Sequence, residues 1–236
     1  MIAANNITKK FGKVYALDNV SVTCNSGECI ALIGPNASGK TTFIKSVLGM
    51  VVPDSGTISF NNIPIANQWA YRDRIGYMPQ IGRYPENMTI AQVFKLMKAI
   101  RKPIRTMDED LIKSFELEKV MDKRMRTLSG GTRQKVSASI AFLFNPDVLI
   151  LDEPTAGLDP VSSELLKLKI TEEKNQGKLI LVTSHVLSEL DDLVSEVLYM
   201  QDGKLNFQKS LALLKQETGE QKLSKAIAKV MITNRQ

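Results

Sequence analysis

The chain has 236 residues, 43% of them hydrophobic, enough to bury a full core as one large α/β domain or two small lobes. Its net charge of +6 comes from basic residues scattered in short groups such as Lys9-Lys10, Arg101-Lys102 and Lys123-Arg124. No concentrated basic stripe with interleaved aromatics is present, which argues against nucleic acid as a partner. No apolar run approaches the roughly 20 residues that span a bilayer, and Met1 to Ser21 is polar and strand-like where a signal peptide would be apolar, so the chain reads as soluble and cytosolic.

In chain order, Ile2 to Thr8 and then Val20 to Cys24 read as antiparallel strands of a small β lobe. Cys24 and Cys29 flank the turn Asn25-Ser26-Gly27-Glu28 and read as small buried hydrophobes in a reducing compartment. Cys29 to Ile33 is a buried-strand run, and Phe43 to Leu48 is helix-like. A turn at Pro53-Asp54-Ser55-Gly56, a strand over Thr57 to Phe60 and a turn at Asn61-Asn62 extend the β lobe; Ile75 to Met78 is a short strand. Residues 81–127 then read as an all-helical insert. Thr89 caps a helix whose Ile90, Val93, Phe94, Met97 and Ile100 keep a 3.6-residue period, Pro103 stops it, and Asp108 to Phe115 follows. Thereafter helices (Gly131 to Phe144, Ser162 to Asn175, Val186 to Ser195) alternate with strands (Val148 to Leu151, Leu179 to Thr183, Val197 to Met200), the pattern of a largely parallel sheet. Lys215, Lys222, Lys225 and Lys229, interleaved with Leu223, Ile227 and Val230, fit either a solvated surface or a basic amphipathic helix touching anionic lipid.

The most specific signal is Gly34-Pro35-Asn36-Ala37-Ser38-Gly39-Lys40-Thr41-Thr42, which fills every fixed position of the phosphate-binding loop G-x-x-x-x-G-K-[ST] between a strand and a helix. Glycines allow backbone N–H groups to curl around phosphate oxygens at a helix N-terminus, where the dipole favours negative charge. Lys40 is placed to reach the β and γ phosphates, and Thr41 offers a hydroxyl to Mg²⁺. The apolar run Val148 to Leu151 delivers Asp152 and Glu153 at its C-terminal end, where open α/β sheets place their ligands. Asp152 suits Mg²⁺, and Glu153 suits polarising an attacking water. Ser129-Gly130-Gly131, after Leu128, starts the helix before that strand.

With all three motifs in this order, the chain resembles the ATP-binding subunit of ABC transporters, over roughly residues 1 to 215. The family signature reads Leu-Ser-Gly-Gly-Gln, and this chain has Thr132 where the glutamine is usual. The resemblance implies a P-loop NTPase core with a mostly parallel sheet, an N-terminal antiparallel β lobe and the helical subdomain at 81–127; residues 216–236, beyond it, read as a basic tail. It also implies ATP and Mg²⁺ as cofactors. By the same resemblance Phe11 stacks on adenine, with Tyr15 as the second candidate. Gln80, after Tyr77-Met78-Pro79, is the glutamine loop that contacts Mg²⁺ and water; Asp159, in Ala156-Gly157-Leu158-Asp159, lies on a loop crossing a dimer interface; and His185 contacts the γ-phosphate. Ser129, Gly130 and Gly131 cap the nucleotide of a second copy, so two chains close head to tail on two ATP·Mg²⁺.

The expected function is therefore an ATPase that drives a separate integral membrane permease from the inner face of the cell membrane. Tyr84-Pro85, Met88-Thr89 and Pro154 to Pro160 are similar to the short exporter-type cassettes. The alternatives are a soluble cassette ATPase without transport, such as an iron–sulfur assembly ATPase, and the ATPase of a copper-site maturation transporter. The latter is not favoured by the residues, since no Cys or His cluster has ligand spacing.

Overall fold

The computed structural model describes residues 1–101 and 106–233. The chain forms two compact units, one of Met1–Tyr71 with Leu181–Gln236 and one of Arg72–Ile180.

In the first unit, β1 (Ile2–Phe11) and β2 (Val14–Cys24) form a long hairpin, with Ile2 opposite Cys24 and Phe11 opposite Val14. Both strands run beyond the expected 2–8 and 20–24. Irregularities along the hairpin are absorbed as register shifts, with Asn6 and Asn19 in the left-handed conformation that asparagine tolerates. Ile2, Ala4, Ile7, Leu17, Val20, Val22 and Cys24 are buried. β3 (Cys29–Ile33) is buried at every residue and leads through the phosphate-loop motif into α1 (Lys40–Val47). β4 (Ser55–Phe60) and β5 (Ile63–Pro64) complete an antiparallel sheet of order β2-β1-β4-β5.

The second unit carries β6 (Ile75–Met78) and β7 (Val148–Asp152), paired in parallel with Ile75 opposite Val148. Between them in sequence come α2 (Ile90–Ile100), α3 (Asp110–Ser114), 3-10 turns at Leu117–Val120 and Met125–Thr127, and α4 (Gly130–Phe142). Thr89 caps α2 in a full capping box: its hydroxyl accepts from Gln92 N at 3.2 Å, and Gln92 Oε1 accepts from Thr89 N at 2.9 Å. The expectation that Pro103 stops this helix lies outside the described residues. A Cβ on Gly76 would stand 2.1 Å from the carbonyl oxygen of Ala141, so glycine lets α4 pack directly on the β6 backbone. α5 (Pro160–Asn175) is joined to α3 by a buried ammonium: Lys169 Nζ lies 2.9 Å from Asp110, and also 2.8 Å from Asp108 and 3.1 Å from Glu173.

β8 (Leu179–Thr183), fully buried, returns the chain to the first unit. The helix expected over Val186 to Ser195 does not form; only a 3-10 turn at Leu187–Glu189 does. Other acceptors take its backbone at both ends. Ser184 Oγ accepts from Val186 N at 3.0 Å, and Cys29 O accepts from Ser195 N at 2.8 Å. β9 (Glu196–Gln201) pairs in parallel with β3 and antiparallel with β10 (Lys204–Ser210), a strand the sequence pattern did not suggest. α6 (Leu211–Thr218) and α7 (Leu223–Thr233) end the described chain. Leu223, Ala226 and Ile227 of α7 are buried, so the apolar face that a lipid-binding helix would present is already covered by protein. Among the described residues no helix is long and apolar enough to cross a membrane.

Candidate functional site

The first unit holds the phosphate loop. Two glycines are dictated by close approach: a Cβ on Gly34 would lie 2.1 Å from Met200 O, and one on Gly39, whose φ is 103°, would lie 2.4 Å from Ala16 O. Ala37 also takes a positive φ, 62°. Ser38 is buried, its N–H donating to Pro35 O at 3.2 Å and its carbonyl accepting from Gly203 N at 3.1 Å. Pro35, Asn36 and Ala37 are exposed, as is Thr41 on the first turn of α1, while Thr42 is half-buried. Lys40 Nζ donates to Gly34 O at 2.7 Å and Pro35 O at 2.9 Å, which draws the ammonium across the loop. The arrangement is a concave backbone with a cation at its edge, ahead of a helix N-terminus, and it suits a triphosphate.

The β1–β2 hairpin is packed on this loop through Ala16. Phe11 and Tyr15 are 54% and 46% exposed, so both aromatic candidates offer a ring to a base. Lys9 Nζ stands 5.6 Å from the Phe11 centroid and Lys10 Nζ 4.2 Å from that of Tyr15. His185, exposed, follows β8 in the same unit.

The second unit holds the carboxylates. Asp152 ends β7, half-buried, and burial together with the Asp152 charge pushes the Tyr77 hydroxyl above its ordinary value. Glu153 follows with φ 52°, a left-handed conformation that costs a non-glycine residue about 1–2 kcal/mol. Two amides meet it. Gln80 Nε2 donates to Glu153 Oε1 at 2.9 Å, bringing together two residues singled out from sequence. Gln134 Nε2, from buried Gln134, donates to Glu153 O at 3.1 Å and Pro154 O at 3.4 Å. Sequence reasoning missed Gln134; its only signal is a place one turn beyond the Ser-Gly-Gly motif.

Ser129 caps α4, its Oγ accepting from Thr132 N at 3.2 Å and lying 2.9 Å from Thr132 Oγ1, so the unusual threonine supports the helix start. A Cβ on Gly131 would stand 2.7 Å from Gly157 O; Gly130 faces open space. Asp159 caps α5 through Ser162 N (2.9 Å) and the Ser162 hydroxyl (2.7 Å) and pairs with Lys135 Nζ at 2.9 Å. Those three donors, Ser162 first, hold its carboxyl well below the usual carboxylate range. Both cysteines are buried free thiols. Among the described residues no group of three or more His, Cys, Asp or Glu is gathered to hold a metal.

The profile of the family described as ABC transporter matches residues 17–156. The chain belongs to the ABC transporter family. It is similar to the Nod factor export ATP-binding protein I of Burkholderia lata, 33% identical over 204 residues that cover 84% of this chain and 67% of that protein. The protein of the same name from Rhizobium meliloti is 31% identical over 84% of this chain and 61% of its own length. The chain thus spans about two thirds of the length of these relatives. Among solved structures, an ATP-binding subunit of an ABC transporter matches with a TM-score of 0.90 at 26% identity, covering 98% of this chain and 99% of that one. A dimeric ATP-binding cassette in a post-hydrolysis state with ADP and Pi matches with a TM-score of 0.79 at 26% identity, over 89% and 99%. The chain is accordingly an ATP-binding ATPase of this family, with the α/β fold of the P-loop NTPases.

Proposed function

We propose that the chain is the motor of an exporter: two copies close on two ATP·Mg²⁺, hydrolyse, reopen, and thereby drive a separate integral membrane permease at the inner face of the cell membrane. The observation that carries this reading is Glu153 held by Gln80 at the end of β7, in a chain whose phosphate loop is intact. The export direction is supported by relatives that are export ATP-binding proteins. The dimer is supported by the dimeric cassette in its post-hydrolysis state. A soluble cassette without transport, or one serving copper-site maturation, has no comparable support.

In this reading Gly34 to Thr42 bind the triphosphate through backbone N–H groups, and Lys40 leaves the loop carbonyls for the β and γ oxygens. Phe11 or Tyr15 stacks on the adenine. Thr41, Gln80 and Asp152 are the residues that would hold Mg²⁺, through the oxygen donors this hard cation favours. Mg²⁺ supplies charge neutralisation on the β and γ phosphates when bound. Glu153 accepts the proton of the attacking water, and His185 donates to the γ-phosphate. Ser129, Gly130 and Gly131 present the N-terminus of α4 to the nucleotide of the second copy, and Asp159 lies at the interface between the copies.

Sizing chromatography of Glu153→Gln tests the proposal. The variant should move from monomer to dimer when ATP and Mg²⁺ are added, and return when EDTA is added, while the wild-type chain turns ATP over. A variant that stays monomeric beside a wild-type chain without turnover overturns the paired-motor reading.

A further inference from the structure

The first turns of α4 are fastened to the loop after β7 at three places. Gly131 approaches Gly157 so closely that a side chain would not fit, its built Cβ lying 2.7 Å from Gly157 O. Lys135 Nζ pairs with Asp159 at 2.9 Å. Between them Gln134, 7% exposed, spends its amide on the carbonyls of Glu153 and Pro154 at 3.1 and 3.4 Å. All three contacts lie within the second unit.

The middle contact differs in kind from its neighbours. Glu153 has φ 52°, where a Cβ crowds its own carbonyl, and such a residue persists only when its surroundings over-determine it. A backbone in that state has a second, extended conformation available at lower intrinsic energy. Switching between them rotates the carbonyl of Glu153 and swings its side chain to another direction. A donor fixed in the protein interior that grips the Glu153 carbonyl in one orientation therefore selects the side-chain direction as well. Gln134 is that donor, because a buried amide N–H without its acceptor costs desolvation free energy and resists release. Gln80 reaches only the carboxylate end, through an exposed side chain.

We propose that Gln134 is a positioning residue for the water-activating carboxylate: its buried amide locks the left-handed turn at Glu153 and so aims the side chain. Gln134 touches neither nucleotide nor water in this role; it acts through the backbone of Glu153. This inference rests on the assignment of Glu153 as the water-polarising base. It has a further consequence. α4 begins at the Ser129-Gly130-Gly131 motif, so a displacement of the helix start is transmitted to the direction of Glu153 through one side chain.

The test is steady-state ATP hydrolysis by the full chain carrying Gln134→Leu, which keeps most of the volume and removes the donor. The rate constant kcat should fall about 10- to 100-fold, the scale on which a misplacement near 1 Å acts, with KM for ATP within about twofold of wild type. Placed on a Glu153→Gln background, the same substitution should change the residual rate by less than about twofold, because no carboxylate remains to be aimed. Gln134→Glu supplies a readout that a merely structural role would not move. Its ionised carboxylate faces carbonyls and has no donor, while its protonated form has one. Its rate relative to wild type should therefore rise as pH falls from 8 toward about 5.5, since burial raises a glutamate above its ordinary value of about 4.3. If Leu fails to fold by circular dichroism, Glu at low pH still decides.

A Gln134→Leu chain that is folded and hydrolyses ATP at the wild-type rate overturns the inference. So does a Gln134→Glu chain whose rate relative to wild type is flat with pH. If Glu153→Gln itself hydrolyses ATP like wild type, the assignment of Glu153 fails instead, and that result is recognised before any Gln134 variant is made.

Discussion

The two halves of the catalytic equipment are held by different means. The phosphate loop is shaped by its backbone: Gly34 and Gly39 let the chain pass within contact of Met200 and Ala16, and in the proposed function the loop meets the triphosphate through main-chain N–H groups. The carboxylate loop is shaped by side chains. Glu153 sits in a conformation that glutamate disfavours, and Gln80 and Gln134 hold it there. A backbone cradle is fixed by close packing, whereas a carboxylate held by side chains can be re-aimed, which fits the proposal that two copies close before hydrolysis.

The largest effect should come from the backbone half. Gly34→Ala places a methyl group 2.1 Å from a carbonyl of the neighbouring strand, a clash relieved only by moving β9 or the loop. We expect a loss of about 1–3 kcal/mol, the usual range for overpacking, together with loss of nucleotide binding. Thermal melting with and without ATP reads both. A wild-type melting temperature with a full ATP-induced rise would break the contrast between the two halves.

A smaller effect is expected from the side-chain half. The Asp159 carboxyl is held below its ordinary value, so its contribution is fully present above the unfolded aspartate value of about 3.9 and is lost only as pH falls through the lower folded value. Asp159→Asn should therefore melt slightly below wild type at pH 7, with a gap that stays constant down to about pH 4 and closes below it. Added salt should shrink the gap, because the Lys135 pair is exposed to solvent. A gap that widens on acidification would contradict the placement of this carboxylate at the helix cap.

Legibility in the sequence follows the same division. The phosphate loop could be read because a backbone requirement reduces to residue type and spacing, and the Thr89 cap because its partner Gln92 lies in the next turn. Asp152 and Glu153 could be placed at a strand end, since a fully apolar run bounded by acids has few other homes. The left-handed turn at Glu153 could not be read, because the residue that stabilises it, Gln134, is brought there by the packing of α4 on β6. The helix expected over Val186 to Ser195 failed for a similar reason: its last backbone N–H, that of Ser195, is taken by Cys29 O of β3, far along the chain. The buried Lys169 cluster was hidden too, since its acids come from α3 (Asp110), the residues just before it (Asp108) and α5 (Glu173).

The central claim is that binding belongs to the loop and chemistry to Glu153. It is tested most directly by measuring ATP affinity and single-turnover hydrolysis for Lys40→Ala and Glu153→Gln side by side. The account predicts that Lys40→Ala loses affinity at least about tenfold, while Glu153→Gln binds ATP as tightly as wild type and hydrolyses it at least about 10²-fold more slowly. Equal loss of affinity in both variants, or wild-type hydrolysis by Glu153→Gln, would contradict it.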